Sequence, residues 1–486
     1  MRLKLIAAST LLSSAALLAA CATTSSVPGV TSLVQGQAQV RSTPSVTVTR
    51  NGDTLTADYV FTRDAPVWAF MESALMTGSR QPWRPTQWTV ETPGVVMERH
   101  GAYDIIRSRD GGPVPRHVRF TIRPKSVDLE AAYRTITFSD GAVALPTRQF
   151  DVFAVRSVAE AAATPADLNG VNVDGGPSPV TWRDASGPVL YKGERRANLT
   201  TTTDQSYVLM GQAAVTRGEG LTTVMDPSLP AWIGEEIRSF APRVGDYYKR
   251  RLGPSGDGDE IPVVMVGWNG PTERMTSMAG SALSSLIVMR FEGVGVVQPS
   301  KQVLERSRWF IGHESAHFWL GQTVRYETAR DMWITEGGAD LMAVRALQVF
   351  DAGFDVRAEL QNEVKDCADL TVNRGVADAG QRGEHRAYYA CGAVFAMAAE
   401  GAQKKRTGGD WFDFLRGLIE ANRADEVLTR EEWLSALTRV SGDPTLRLDI
   451  EQLLDQGAAN PSAVIARLFE RTGVAFRMED GKVVLI

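Results

Sequence analysis

Apolar residues along this chain recur at two different periods, and the change comes once, near Asp226. Over 44–224 the period is two: Leu55, Ala57, Tyr59 and Phe61 alternate with Thr54, Thr56 and Asp58, and Val118, Phe120 and Ile122 alternate with His117, Arg119, Thr121 and Arg123. Such alternation turns one face of an extended strand to a core and the other to water. Asn51-Gly52 and Asp110-Gly111-Gly112 supply turns between runs. Residues 44–225 therefore read as an all-β sandwich domain. Beyond it, Ser228 and Pro230 mark a helix start, and Ile233, Ile237, Phe240, Val244 and Tyr247 follow at helical spacing. Pro242 falls inside that run and is expected to kink it. Residues 261–268 and 285–291 read as buried strands, and from 301 the chain is mostly helical. The rest divides into an α+β core at 226–345 and a helical part at 346–486, whose end, 474–486, forms a hairpin turning at Asp480-Gly481.

The 486 residues are 43% hydrophobic and 22% charged, which excludes a disordered chain, a collagen-like repeat and a polytopic membrane protein. A net charge of -5 with no basic stripe argues against a nucleic-acid partner. The N-terminus is different in character. Arg2 and Lys4 precede an apolar stretch, 5–20, too short for a comfortable membrane span, ending in Leu18-Ala19-Ala20-Cys21. This resembles the lipobox of bacterial lipoproteins. The resemblance implies a signal peptide at 1–21, lipid on Cys21, and, with Ala22 rather than Asp after it, attachment to the outer membrane facing the periplasm. Residues 22–43, rich in Ser, Thr, Gly and Gln, read as a flexible linker. In an oxidising export compartment Cys367 and Cys391 either pair as a disulfide or stay as two buried thiols.

Only 5 histidines occur in the chain, and two of them fall in His313-Glu314-Ser315-Ala316-His317. On a helix, positions i and i+4 share a face, so both imidazoles reach one metal ion. The glutamate between them points beside that ion's open position. Glu336 follows with 18 residues between it and His317. Two imidazoles and a carboxylate suit one zinc ion, with a fourth tetrahedral position left for water. Asp340, one turn beyond Glu336, is placed to receive the outer N–H of a ligand histidine, His313 in this reading.

The motif, its spacing and the segment Trp333-Ile334-Thr335-Glu336-Gly337 resemble the gluzincin metallopeptidases, and the aminopeptidase N family in particular, with its W-x-x-E-G segment. The resemblance implies a thermolysin-like catalytic core, His313, His317 and Glu336 as zinc ligands, and Glu314 as general base. Tyr388-Tyr389-Ala390-Cys391-Gly392 matches that family's Y-x-x-G segment; aligning the glycines makes Tyr389, 53 residues after Glu336, the catalytic tyrosine. His385 reads as a surface histidine.

One family feature is missing. Relatives carry a G-x-M-E-N strand whose glutamate holds the substrate's α-amine, whereas here Gly280-Ser281-Ala282-Leu283-Ser284 puts leucine at the glutamate and serine at the asparagine. A leucine cannot bind an ammonium group. The sequence thus implies a zinc peptidase acting on peptides or proteins, with exopeptidase and endopeptidase action both open, and the strand still able to align an extended peptide through its backbone. The other reading is a non-catalytic zinc-binding lipoprotein of the cell envelope.

Overall fold

The computed structural model describes residues 43–130, 132–168, 171–256, 258 and 262–486; the signal peptide, Cys21 and nearly all of the 22–43 linker lie outside them. In the N-terminal half, a six-stranded sheet runs in the order Leu199–Thr201, Val180–Asp184, Ser45–Asn51, Thr54–Val60, His117–Ile122, Trp88–Val90. It shares one core with two five-stranded sheets: Val48, Leu55 and Phe120 pack with Trp68, Phe70 and Val152 of the second, and with Leu145 and Val208 of the third. The alternation read in the sequence is the pattern observed, with Leu55, Ala57 and Tyr59 buried on one strand and Val118, Phe120 and Ile122 on its neighbour. Asn51 pairs with Thr54 across the first hairpin, and Gly52 takes the left-handed φ of 64° that the turn needs.

A further five-stranded sheet lies beyond these, in the order Val215–Gly218, Leu221–Met225, Val263–Trp268, Leu286–Glu292, Ser277–Leu283. Its first two strands come before residue 226, so the sheet straddles the point where the hydrophobic period changes. Alternation alone marks strands but not which sheet they join. Leu221–Met225 and Val263–Trp268 are parallel. Parallel neighbours need a crossover, here the helix Ala231–Leu252, which runs unbroken through Pro242. Its buried stripe is Ile233, Ile237, Phe240, Val244 and then Tyr248, rather than Tyr247. Tyr248 is fully buried because its hydroxyl donates to the Gly312 carbonyl at 3.1 Å.

The remaining chain is helical and ends in the expected hairpin, Phe476–Glu479 with Lys482–Leu485, turning through Asp480 and Gly481, both at positive φ. Four helices surround the His313–His317 motif: a motif helix Lys301–Ala316, a ligand helix Trp333–Phe350, a clamp helix Val356–Leu370 and a tyrosine helix Arg386–Thr407. No described helix is long and apolar enough to cross a membrane. The ligand helix is buried nearly all round and crosses the tyrosine helix at two glycines. A Cβ on Gly337 would stand 2.1 Å from the Gly392 carbonyl carbon, and one on Gly392 would stand 2.2 Å from the Trp333 carbonyl oxygen. Backbone meets backbone there, and no side chain fits between. Cys367 on the clamp helix is bonded to Cys391 on the tyrosine helix, with their Cα atoms 4.7 Å apart.

Adding one methyl group at this crossing, Gly392→Ala, should force the two helices apart. The expected loss is about 1–3 kcal/mol or more, the cost of overpacking a filled core, read as a lowered midpoint in thermal or urea unfolding.

Candidate metal centre

The motif helix begins at Ser300, whose hydroxyl accepts the Val303 N–H at 3.3 Å, and ends at Ala316, with His317 as its C-terminal cap. The chain then turns back sharply through Gly321, at φ 139°, into the ligand helix, which carries Glu336 in its first turn. This hairpin of helices brings three atoms together. His313 Nε2 and His317 Nε2 are 3.1 Å apart, and Glu336 Oε2 is 3.5 Å from each. Among the described residues these three form the one group of histidine, cysteine or carboxylate ligand atoms close enough to share a metal ion.

Each imidazole is held in the tautomer that turns Nε2 inward. His317 Nδ1 lies 2.8 Å from the Leu320 carbonyl, to which it donates. His313 Nδ1 lies 2.8 Å from Asp340 Oδ1, one turn beyond Glu336 on the ligand helix. Glu336 Oε2 is buried without a hydrogen-bond partner. An acceptor so placed, facing two imidazole lone pairs, calls for a cation. The triangle is close to the right size: tetrahedral zinc with bonds of 2.0–2.2 Å requires ligand–ligand edges of about 3.3–3.6 Å, which both edges to Glu336 meet, while the histidine–histidine edge is slightly short. Two nitrogens and one carboxylate oxygen are a donor set zinc favours, so the residues present fit that ion.

Electrostatics point the same way. Burial opposes charge on His313, yet the carboxylates of Asp340 and Glu336 outweigh it and push the ring up to about 10. His317 is raised as well, Glu336 overcoming its burial. Glu336 is held well below the usual carboxylate range, because His317 and His313 overcome the effect of its own burial. Burial raises Glu314, and the two histidines only partly offset it.

Glu314 is 5% exposed and lies against the edge strand Ser277–Leu283. A Cβ on Gly280 would stand 2.5 Å from Glu314 Oε1, so glycine is what allows the carboxylate to sit there. Three residues on, Leu283 points to the opposite face and is buried in the core shared with Leu190 and Leu209 of the N-terminal half. The strand ends at that residue. Tyr389 stacks on His313 with ring centroids 5.8 Å apart and planes at 22°. Burial and the charges of Glu336, Asp340 and Glu314 keep its phenol well above its usual range, in the donor form. Tyr388 faces away, donating to the Ala377 carbonyl at 3.1 Å.

His385 is half-buried rather than on the surface. It caps the tyrosine helix, and its pKa is lowered by burial although Glu130 and Glu336 act against that. Three contributors were not read from the sequence. Trp309 also stacks with His313, at 5.3 Å and 28°; its place four residues before His313 was the available signal. Gly280 admits Glu314, and Arg386 approaches Asp340 at 3.6 Å. Neither contact has a local signature, because the partners lie on other elements.

Neither a protein-family model nor a curated protein matches the chain's sequence. Solved structures do. An aminopeptidase N family protein from Idiomarina loihiensis superposes with a TM-score of 0.59 at 8% identity, over 87% of this chain and 78% of that one. The chain shares that protein's fold. An M1 zinc metallopeptidase variant from Deinococcus radiodurans, solved with a Tyr-Ser-Ala substrate, aligns over 88% of this chain and 92% of its own with a TM-score of 0.45 and 14% identity.

Two outcomes are expected. Metal and protons compete for the same imidazole lone pairs, so zinc uptake should release protons and tighten as pH rises from 6 to 8. Each proton displaced makes binding up to about tenfold tighter per pH unit, measurable by chelator competition at each pH. Gly280→Ala should displace the Glu314 carboxylate from the strand with zinc content unchanged, read from metal analysis and a crystal structure of the variant.

Proposed function

We propose that this chain is a zinc-dependent peptidase, built as a thermolysin-like core behind a β-rich N-terminal unit and tethered to the bacterial outer membrane, facing the periplasm, by lipid on Cys21. The observation that carries the reading is the convergence of His313 Nε2, His317 Nε2 and Glu336 Oε2 with Glu314 in the same helical turn. The shared fold with an aminopeptidase N family protein supports it.

His313, His317 and Glu336 would hold the ion. When bound, zinc supplies Lewis acidity toward a water molecule and the scissile carbonyl. Glu314, raised by burial, takes the proton of the attacking water and passes it to the departing amine. Tyr389 donates its phenolic O–H to the oxygen on which negative charge develops. Asp340 holds His313 in the tautomer that binds. Trp309 and Tyr389 both stack with the His313 ring. The backbone of Ser277–Leu283, an edge strand, pairs with an extended peptide alongside Glu314.

The substrate's amino end distinguishes two forms of the activity. Leu283 packs in the core and offers nothing to an ammonium group, which favours an endopeptidase on short peptides. Comparing free and N-acetylated forms of one peptide tests this. Equal kcat/KM is the expected result, and strict dependence on the free amine would restore the aminopeptidase reading. The chemistry itself is tested by Glu314→Gln, expected to retain zinc and lose roughly 100- to 10,000-fold in kcat, the usual worth of general acid–base catalysis. Undiminished turnover with full zinc content would overturn the assignment of Glu314.

A further inference from the structure

The first turn of the tyrosine helix carries more than Tyr389. Arg386 sits three residues earlier, on the same face of that helix. Its Nη1 is 3.6 Å from Asp340 Oδ2, its Nη2 is 2.7 Å from Glu363 Oε1, and its Nε is 2.9 Å from Asp366 Oδ2. The side chains of Asp340 and Glu363 are almost fully buried, at 1% and 3% exposure. The second oxygen of Asp340 is the one 2.8 Å from His313 Nδ1. Charge therefore alternates outward from the imidazole through Asp340 and Arg386 to the two acids of the clamp helix. Among the described residues, Arg386 is the one basic side chain besides His313 within ion-pair reach of Asp340.

Asp340 thus has a charged neighbour at each oxygen, the imidazole at Oδ1 and the guanidinium at Oδ2, and charge attraction rather than a formed hydrogen bond orients it. Without the guanidinium, the imidazole would be the one charged neighbour orienting that carboxylate. Arg386 adds a second charge at Oδ2 and stands between Asp340 and Glu363, which would otherwise face each other as buried acids with no cation between them. The guanidinium is itself pinned by two nitrogens to the clamp helix, in the fixed fork that arginine offers and lysine does not. The disulfide adjoins this anchor: Cys367 follows Asp366, and Cys391 lies five residues after Arg386.

We propose that Arg386 is a positioning residue for the metal centre: anchored on Glu363 and Asp366, it fixes the orientation of Asp340, and through it that of His313, and so sets the affinity of the centre for its cation. The inference rests on the reading of the site as a zinc centre. The test is the zinc dissociation constant of the full chain, measured by competition with a chromogenic chelator. Arg386→Met is expected to weaken binding by about tenfold, within the range found for outer partners of metal ligands, with Arg386→Lys between it and the parent. A double-mutant cycle then separates positioning from mere support. In an Asp340→Asn background, Arg386→Met should change the constant by less than about twofold, because the path it acts through is gone.

An unchanged constant in a folded Arg386→Met protein, even one with a lowered melting temperature, would overturn the proposal. So would an undiminished effect in the Asp340→Asn background. If Arg386→Met does not fold, Asp366→Asn removes one anchor and keeps the arginine; it should weaken zinc by roughly two- to fivefold, and no change would count against the proposal. Failure of the parent protein to take up zinc at all would refute the metal centre itself, before any variant is made.

Discussion

The centre depends on two helices crossing with their backbones in contact. Gly337 directly follows Glu336, and Gly392 lies one turn after Tyr389. Because the glycines meet, the ligand helix and the tyrosine helix are as close as backbones allow. That closeness places the Tyr389 ring over His313 and Arg386 against Asp340. A residue with a side chain at either position would widen the crossing and withdraw both at once. The glycines of the two short motifs are thus a single packing contact seen from its two sides, and the disulfide between Cys367 and Cys391 ties the same helix to a third.

Burial then makes the charges matter. Glu314, Glu336 and Asp340 are gathered around two imidazoles in a space largely closed to water. In such surroundings an uncompensated carboxylate is costly. The acids raise the affinity of both histidines for positive charge, a proton or a metal ion. The same enclosure raises Glu314, the two histidines offsetting it only in part. Glu336 and Glu314 are both buried carboxyls shifted in opposite directions: Glu336 faces both Nε2 atoms, while Glu314 lies against the strand at Gly280.

Much of this was legible in the sequence, for a physical reason. Helical periodicity converts spacing into direction within one helix, so it pairs His313 with His317 and Glu336 with Asp340; that Glu336 meets the histidines came from the resemblance in the longer spacing. Gly392 likewise singled out Tyr389 over Tyr388. Strand alternation was equally readable at Leu55, Ala57 and Tyr59. What could not be read were contacts between elements distant in sequence. Nothing local says that Val215–Gly218 and Leu221–Met225 join the sheet of the second unit, since a strand's own pattern shows which face is buried and not what pairs along its edges. The buried stripe of Ala231–Leu252 takes Tyr248 instead of Tyr247 because a partner carbonyl at Gly312 is there to receive its hydroxyl. Arg386 reads as an ordinary surface arginine until Asp340, Glu363 and Asp366 are seen around it.

Packing and chemistry meet on the edge strand Ser277–Leu283. It has a glycine where the Glu314 carboxylate needs room and a buried leucine at 283. The two positions differ by three residues, so they lie on opposite faces of the strand. The face at Gly280 opens onto Glu314, while the face at Leu283 packs against the N-terminal half. Glutamate in place of Leu283 would be a charge buried in an apolar interface, and the leucine instead contributes packing between the two halves. The two faces of this one strand therefore serve different ends, room for a carboxylate on one and adhesion between the two halves on the other.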